Sequence, residues 1–246
     1  MPAPLDRFSG HAAAYARYRI DYPTDLYEFL LPHVPGRHRA WDCATGNGQV
    51  ALALARYFEH VDATDLSSSQ LEQATLHPGI TYRVAQAETT PFAEGSLDLI
   101  TVGQALHWFD VSAFHQEARR VLKPGGVMAE WGYGLNRVND PIDALVGHIY
   151  RDVVGPFWDP QRQHIETEYQ HLPFAFNRLQ HARFVARRHW PLAGYLNYLR
   201  TWSAVQAYGR HHHTDPIAPF EEEFRRLWGP EHREVTFPIF MRMGIA

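Results

Sequence analysis

One cysteine, Cys43, stands among 246 residues. An intrachain disulfide is therefore impossible, and a multi-cysteine metal site is excluded. Long apolar runs are missing too, since none approaches the ~20 residues that a membrane-spanning helix needs. The first residues, Met-Pro-Ala-Pro-Leu-Asp-Arg-Phe, have no basic stretch leading into an apolar one, so no secretory leader is expected. Excess charge of either sign is absent: 23 Lys and Arg stand against 27 Asp and Glu, a formal net charge of -4. That leaves no electrostatic footprint for nucleic acid or an anionic membrane surface. Histidine is abundant, at 16, yet none falls in a His-Glu-x-x-His or Cys/His ligand spacing, so no metal is expected. A cytoplasmic protein is what these absences leave.

What is present starts at Ala40-Trp-Asp-Cys-Ala-Thr-Gly-Asn-Gly-Gln-Val-Ala-Leu-Ala-Leu-Ala55. It reads as a short apolar strand, a glycine turn and an Ala/Leu helix. Gly46 and Gly48 permit torsions and close backbone approach that a side chain forbids. The helix start aims free N–H groups and its positive dipole end at the same spot. From there to about residue 131 strands and helices alternate, which predicts a parallel sheet covered on both faces. The strands are His60–Thr64 closing on Asp65, Ile80–Ala85, the apolar run Leu97–Gly103, and Val127–Trp131 after the turn Lys123-Pro-Gly-Gly126. Ser67-Ser-Ser-Gln70 is a capping box for a helix through Leu71 and Ala74, and Asp110 caps one through Val111, Phe114, Ala118 and Leu122.

The flanks read less regularly. Tyr15, Arg17, Tyr18, Arg19 and Tyr22 form an N-terminal flap ending at Pro23, then Thr24 caps a helix that Pro32 and Pro35 stop. Residues 135–180 read as an inserted cap. Phe184–Trp190 is a strand, Leu192–Tyr208 an amphipathic helix with Tyr195, Tyr198 and Trp202 in the core, and Phe220–Trp228 a short helix. Glu234–Met243 alternates as a strand, with Pro238 pointing to an edge or a bulge. The layout is one α/β domain: 1–35 flap and helix, 36–134 ligand-binding core, 135–180 cap, 181–246 completing the sheet. Cys43 is expected as a small buried apolar residue, and the adjacent His211-His-His213 as a loop rather than a ligand set.

The glycine turn alone leaves the ligand open. Gly46-Asn-Gly48-Gln-Val-Ala51 fits the dinucleotide pattern Gly-x-Gly-x-x-Gly/Ala, and Asp65 follows Gly46 at roughly the ~20-residue spacing of an acid that binds a ribose diol. An NAD(P)-dependent oxidoreductase is thus one reading. The remaining blocks point elsewhere. Asp42-Cys-Ala-Thr-Gly-Asn-Gly48, Asp62-Ala-Thr-Asp65, Ala85-Gln-Ala-Glu88-Thr-Thr-Pro-Phe92, Ser96-Leu-Asp98 through His107-Trp-Phe-Asp110, Arg120-Val-Leu-Lys-Pro-Gly-Gly126 and Trp131-Gly-Tyr133 occur in that order. Together with the flap, they resemble the class I S-adenosylmethionine-dependent methyltransferases. Within these, the likeness is to the type 11 small-molecule group related to trans-aconitate methyltransferases.

The resemblance implies a Rossmann-like, mostly parallel seven-stranded sheet with an antiparallel last strand. It implies methyl transfer from S-adenosyl-L-methionine to a small-molecule acceptor, a carboxylate or other oxygen, by in-line displacement. Cofactor contacts are expected from Asp42, Ala44, Gly46, Gly48, Asp65, Leu66, Gln86, Ala87, Glu88 and Gln104, and from Tyr15 and Arg19 of the flap. Ala44 stands where the family usually has Gly, and Gln86 where an acid is often found, though its amide oxygen can accept the same hydrogen bond. The cofactor carries no phosphate, and the turn carries no Lys or Arg. His107, Trp108 and Tyr133 are expected in the acceptor pocket, His107 either as a general base or as a wall of the pocket. A non-catalytic cofactor-binding protein is the remaining alternative.

Overall fold

The computed structural model describes residues 20–246; Tyr15 and Arg19 lie outside them. Seven strands form one sheet: β1 Arg39–Cys43, β2 His60–Asp65, β3 Ile80–Val84, β4 Leu97–Gly103, β5 Leu122–Tyr133, β6 Asn177–Trp190 and β7 Arg233–Ile245. Their order is β3-β2-β1-β4-β5-β7-β6. Strands β1 to β5 run parallel, and β7 runs antiparallel to both neighbours. The apolar run of β4 is buried at every position, as a strand covered on both faces requires. Side chains alternate across β1: Ala40 joins one core layer, Trp41 and Cys43 the other. The chain winds one way from β1 through β2 to β3 and the other way from β4 onward. A crevice therefore opens at the carboxyl ends of β1 and β4.

Helices cover the sheet: α1 Thr24–Leu30, α2 Gln49–Leu54, α3 Ser68–Leu71, α4 Val111–Val121, α5 Asp140–His148, α6 Gln163–Glu166, α7 Leu192–Arg200, α8 Ser203–His212 and α9 Glu221–Trp228. Asp110 caps α4 by accepting the Ala113 amide at 3.1 Å. No helix among the described residues is long and apolar enough to cross a membrane.

Several boundaries differ from the sequence reading. Pro23, not Thr24, occupies the cap position of α1, with no side-chain cap bond. Ser67 does cap α3, but the helix ends at Leu71: Gln73 and Ala74 bond three residues back and tighten the chain ahead of Pro78. Lys123-Pro-Gly-Gly126 lies inside β5 as an irregularity rather than ahead of it, because Leu122 already pairs with Leu97. Strand β6 begins at Asn177, seven residues before Phe184 and inside the span read as cap. Its first half is polar and exposed, so it has no apolar alternation to betray it. The single helix expected over 192–208 is two. The Thr201 hydroxyl and the Gln206 amide satisfy the carbonyls of Tyr198 and Arg200, and Trp202 turns extended to bury its ring.

Pro238 sits in an interior strand, between β5 and β6, rather than at an edge. In antiparallel pairing a residue's N–H and C=O face the same neighbour. Here that neighbour is the β5 side just past Tyr133, where the Gly134 amide donates to the Pro238 carbonyl at 3.1 Å. The missing N–H falls where β5 has ended.

The cap is fastened to the sheet by a buried charge cluster. Arg242 of β7 gives Nε to Glu130 of β5 at 2.5 Å, and its Nη groups to the carbonyls of Tyr169, Leu172 and Pro173 at 2.9–3.0 Å. His115 of α4 holds the other Glu130 oxygen.

Candidate functional site

Most of the residues singled out from the sequence converge on the carboxyl ends of β1, β2, β4 and β5. The turn after β1 is tightly wound: Ala44, Gly46 and Gly48 have φ of 54°, 58° and 84°. Left-handed torsions suit glycine but cost an L-residue about 1–2 kcal/mol, so Ala44 is strained where it stands. The Gly46 amide donates to Asp65 Oδ2 at 2.8 Å, and the Ser67 amide to Asp65 Oδ1 at 2.9 Å. Asp65 is thereby fixed beside the turn at the end of β2. Leu66, next to it, is 46% exposed, an apolar shelf at the mouth of the crevice.

Gly48 has the left-handed torsion expected of it, and a second reason besides. A Cβ there would lie 2.5 Å from the Tyr82 hydroxyl. The close approach at Gly48 is thus that of a β3 side chain.

Asp42 is buried beneath the turn. Its carboxylate accepts from the hydroxyls of Thr45 and Thr101, the latter at 3.0 Å. Burial pushes its pKa up to about 7, against the pull of those hydroxyls and of the Ala51 amide in the first turn of α2. Sequence reasoning missed Thr101, although a threonine inside the apolar run of β4 needs a polar partner and so carries a signal.

On the far side of the crevice Gln86 is exposed, Ala87 buried and Glu88 half-buried, its Oε1 accepting the Asp110 amide at 3.1 Å. Gln104, after β4, has φ 59°. Its side-chain amide does not point freely into the crevice: Oε1 takes the Tyr133 N–H at 2.7 Å and Nε2 gives to the Tyr133 carbonyl at 3.3 Å. Gln104 and Tyr133 thus lock the ends of β4 and β5 together.

His107 lies on the 3₁₀ turn Leu106–Trp108, buried, 4.5 Å ring to ring from Trp108 and 6.4 Å from Tyr169. Desolvation, with smaller contributions from Arg162 and His164, lowers its pKa to about 3. The imidazole is neutral at ordinary pH, and its Nδ1 is buried without a partner among the described residues. Arg162 belongs to the turn Pro160–Arg162, which packs against 106–108. It also walls a cavity of about 330 Å³ beneath the cap, whose apolar lining includes Ile165, Ile239 and Phe240 and whose acidic lining is Glu166 and Glu168. Arg162, His164 and Tyr169 were not singled out from the sequence, because nothing in an irregular loop sets which side chains reach the sheet.

Cys43 is buried, as expected. Tyr195, Tyr198 and Trp202 are core residues. No cluster of metal-ligating side chains occurs among the described residues, the His211–His213 run included.

Comparison with known proteins bears on the family and the fold. Residues 41–129 match the family model of a methyltransferase domain. A solved structure from Anaeromyxobacter dehalogenans, a candidate type II methyltransferase, is 41% identical and superposes with a TM-score of 0.86, covering 93% of this chain and 98% of that one. A candidate methyltransferase of Dictyostelium discoideum is 29% identical over 98% of this chain and 96% of its own length. The fold is shared with phosphoethanolamine N-methyltransferase 2 of Haemonchus contortus, solved with S-adenosylhomocysteine, at a TM-score of 0.51 and 17% identity over 94% of this chain and 57% of that one.

Proposed function

The chain belongs to the class I S-adenosylmethionine-dependent methyltransferases, and on that premise we propose that it methylates an oxygen of a small-molecule acceptor. A carboxylate oxygen is favoured by the likeness of its motifs to trans-aconitate methyltransferases. The observation that carries the reading is the Asp65 carboxylate held by the Gly46 amide at 2.8 Å, at the switch point of the sheet. An acid so placed suits a ribose diol, and the turn beside it carries no Lys or Arg for a phosphate.

When bound, the cofactor supplies an electrophilic methyl group on a positively charged sulfur. The chain does the rest by placement. Asp65 takes the ribose hydroxyls as a charge-assisted acceptor. Leu66 and Ala87 flank the adenine, with Gln86 and Glu88 at its polar edge. Asp42, tied to Thr45 and Thr101, shapes the turn whose Ala44, Gly46 and Gly48 pass under the methionine part. Gln104 acts by fixing Tyr133, not by direct contact. His107 and Trp108 wall the acceptor side, where a neutral imidazole orients a hydrogen-bonding group; a base with a pKa of about 3 removes protons poorly near neutrality. Displacement at a sulfonium depends on alignment more than on acid–base help when the acceptor is already anionic. A cytoplasmic setting fits the lone, buried Cys43.

Calorimetry with S-adenosylhomocysteine and with NAD tests the cofactor assignment. Binding of the first and not the second is expected; the reverse overturns it. Release of S-adenosylhomocysteine in the presence of small carboxylic acids tests the acceptor class.

A further inference from the structure

We infer that Arg162 anchors an anionic group of the acceptor, and that this group is not the one that receives the methyl. The inference rests on the acceptor lying beside His107, as proposed above. The Arg162 guanidinium lies 4.3 Å from the Trp158 ring and 5.6 Å from that of Tyr150, and its Nε donates to the Tyr150 hydroxyl at 3.0 Å. Among the described residues, no carboxylate forms an ion pair with it, and neither Nη has a hydrogen-bond partner. Glu166 is reached only through the Tyr150 hydroxyl, which donates to it at 2.6 Å.

Another arginine of the lining, Arg183, is already committed. Arg183 gives both Nη groups to Glu168, at 2.7 and 2.6 Å. Arg151, on the rim, adds a second cation with no carboxylate partner among the described residues. Outside the lining but within electrostatic reach of one another, His107 and His164 each bury an Nδ1 without a hydrogen-bond partner among the described residues, and the Arg162 charge reaches His107. Polar atoms left open in this way next to an uncompensated cation describe a site waiting for a polar, anionic occupant.

The chemistry selects the class. A guanidinium held flat by aromatic rings presents a planar fork of N–H groups that matches a carboxylate or a phosphate. An oxygen bound by that fork has its lone pairs engaged and its charge drawn off, so it is a poor nucleophile. The methyl group therefore goes to a second heteroatom of the same molecule. The lone pair of that atom forms the new bond to carbon as the carbon–sulfur bond breaks and its electrons return to sulfur; the anchored group keeps its charge. Ile165, Ile239 and Phe240 give the body of the acceptor an apolar bed. At about 330 Å³ the cavity sits at the small end of the ~300–1,000 Å³ typical of small-molecule sites. The acceptor is thus compact and at least bifunctional: an anionic handle, an apolar body and a separate nucleophile.

Titration calorimetry at low ionic strength, on the full chain loaded with S-adenosylhomocysteine, tests this with benzoate, phenyl phosphate and the neutral isostere benzamide. At least one anion is expected to bind about tenfold or more tightly than benzamide. Arg162→Met is expected to cut anion affinity by about ten- to a hundredfold while moving benzamide by less than about threefold. Arg162→Lys, which keeps the charge and loses the fork, falls between. If Arg162→Met fails to fold, Arg162→Gln reads the same quantity. Anions that bind no better than benzamide, or with the same affinity after Arg162→Met, overturn the anchor. S-adenosylhomocysteine binding is read separately in each protein. Its absence sinks the methyl-transfer reading, and the anion arm is then read on the ligand-free chain.

Discussion

The Gly46 amide and the Asp65 carboxylate meet at 2.8 Å across two neighbouring strand ends. Their spacing in sequence is therefore set first by the loop itself and only second by a ligand. This explains why a glycine turn followed by an acid at that interval is common to dinucleotide and methyl-donor sites, and why the interval alone does not separate them. Asp65→Ala is expected to weaken S-adenosylhomocysteine binding by about ten- to a hundredfold, the worth of one charge-assisted hydrogen bond. Asp65→Asn, which keeps an acceptor oxygen, is expected to lose less. Calorimetry on both decides it; unchanged affinity in the alanine variant removes Asp65 from the ribose.

Ala44 holds φ 54° with a Cβ that resists it. Ala44→Gly is expected to raise stability in urea by roughly 0.5–1 kcal/mol, the relief of left-handed strain less the added entropy of the unfolded chain. Ala44→Val, β-branched at the same torsion, is expected to lower it. A destabilised glycine variant would show that the methyl packs well enough to outweigh the strain.

Asp42 links the cradle to pH. In the unfolded chain it ionises near the ordinary value of about 4, and in the fold at about 7. Between those values the folded protein holds a proton that the unfolded chain has released, so stability falls as pH rises through that window. Asp42→Asn abolishes the proton uptake. The stability gap between pH 5 and pH 8, read from urea midpoints, is expected to shrink by an amount on the order of 1–3 kcal/mol. An unchanged gap means that Asp42 does not titrate there.

His107 has the opposite sign. Its imidazole is held neutral down to about 3 while the unfolded chain takes up a proton near 6.5, so this group costs stability as pH falls between the two. For turnover, the pH profile of kcat/KM is expected to show no His107 inflection between pH 6 and 8. His107→Gln is expected to raise KM and keep more than about a tenth of kcat, whereas loss of a general base costs about 10²–10⁴.

The parts of the fold governed by local pattern were open to reading. β4 announces itself by seven consecutive buried positions, α4 by Asp110 and its apolar face, and the crevice by the order of strands and turns. What escaped is what depends on partners far along the chain. The polar first half of β6 forms because β7 lies beside it, and Pro238 is tolerated because β5 stops at Tyr133. Gln104 sits where expected, yet its side chain is spent on Tyr133. Gly48 holds the left-handed torsion that the turn predicts, but its close approach to the Tyr82 hydroxyl comes from a residue that no spacing connects to it. Arg162 comes from a loop without period.

The insertion of β7 between β5 and β6 also imposes an order on manufacture. Strands β1 to β4 pair with one another and with β5, never with residues 233–245, so their ladders can form while the remainder is still being translated. The cap has no such independence. Its carbonyls at Tyr169, Leu172 and Pro173 wait for Arg242, and until then the long β5 lies open along one side. A nascent or prematurely stopped chain therefore offers an unpaired apolar edge to its neighbours, the situation in which strands pair with the wrong partner. Residues 233–245 are the ones that close that edge.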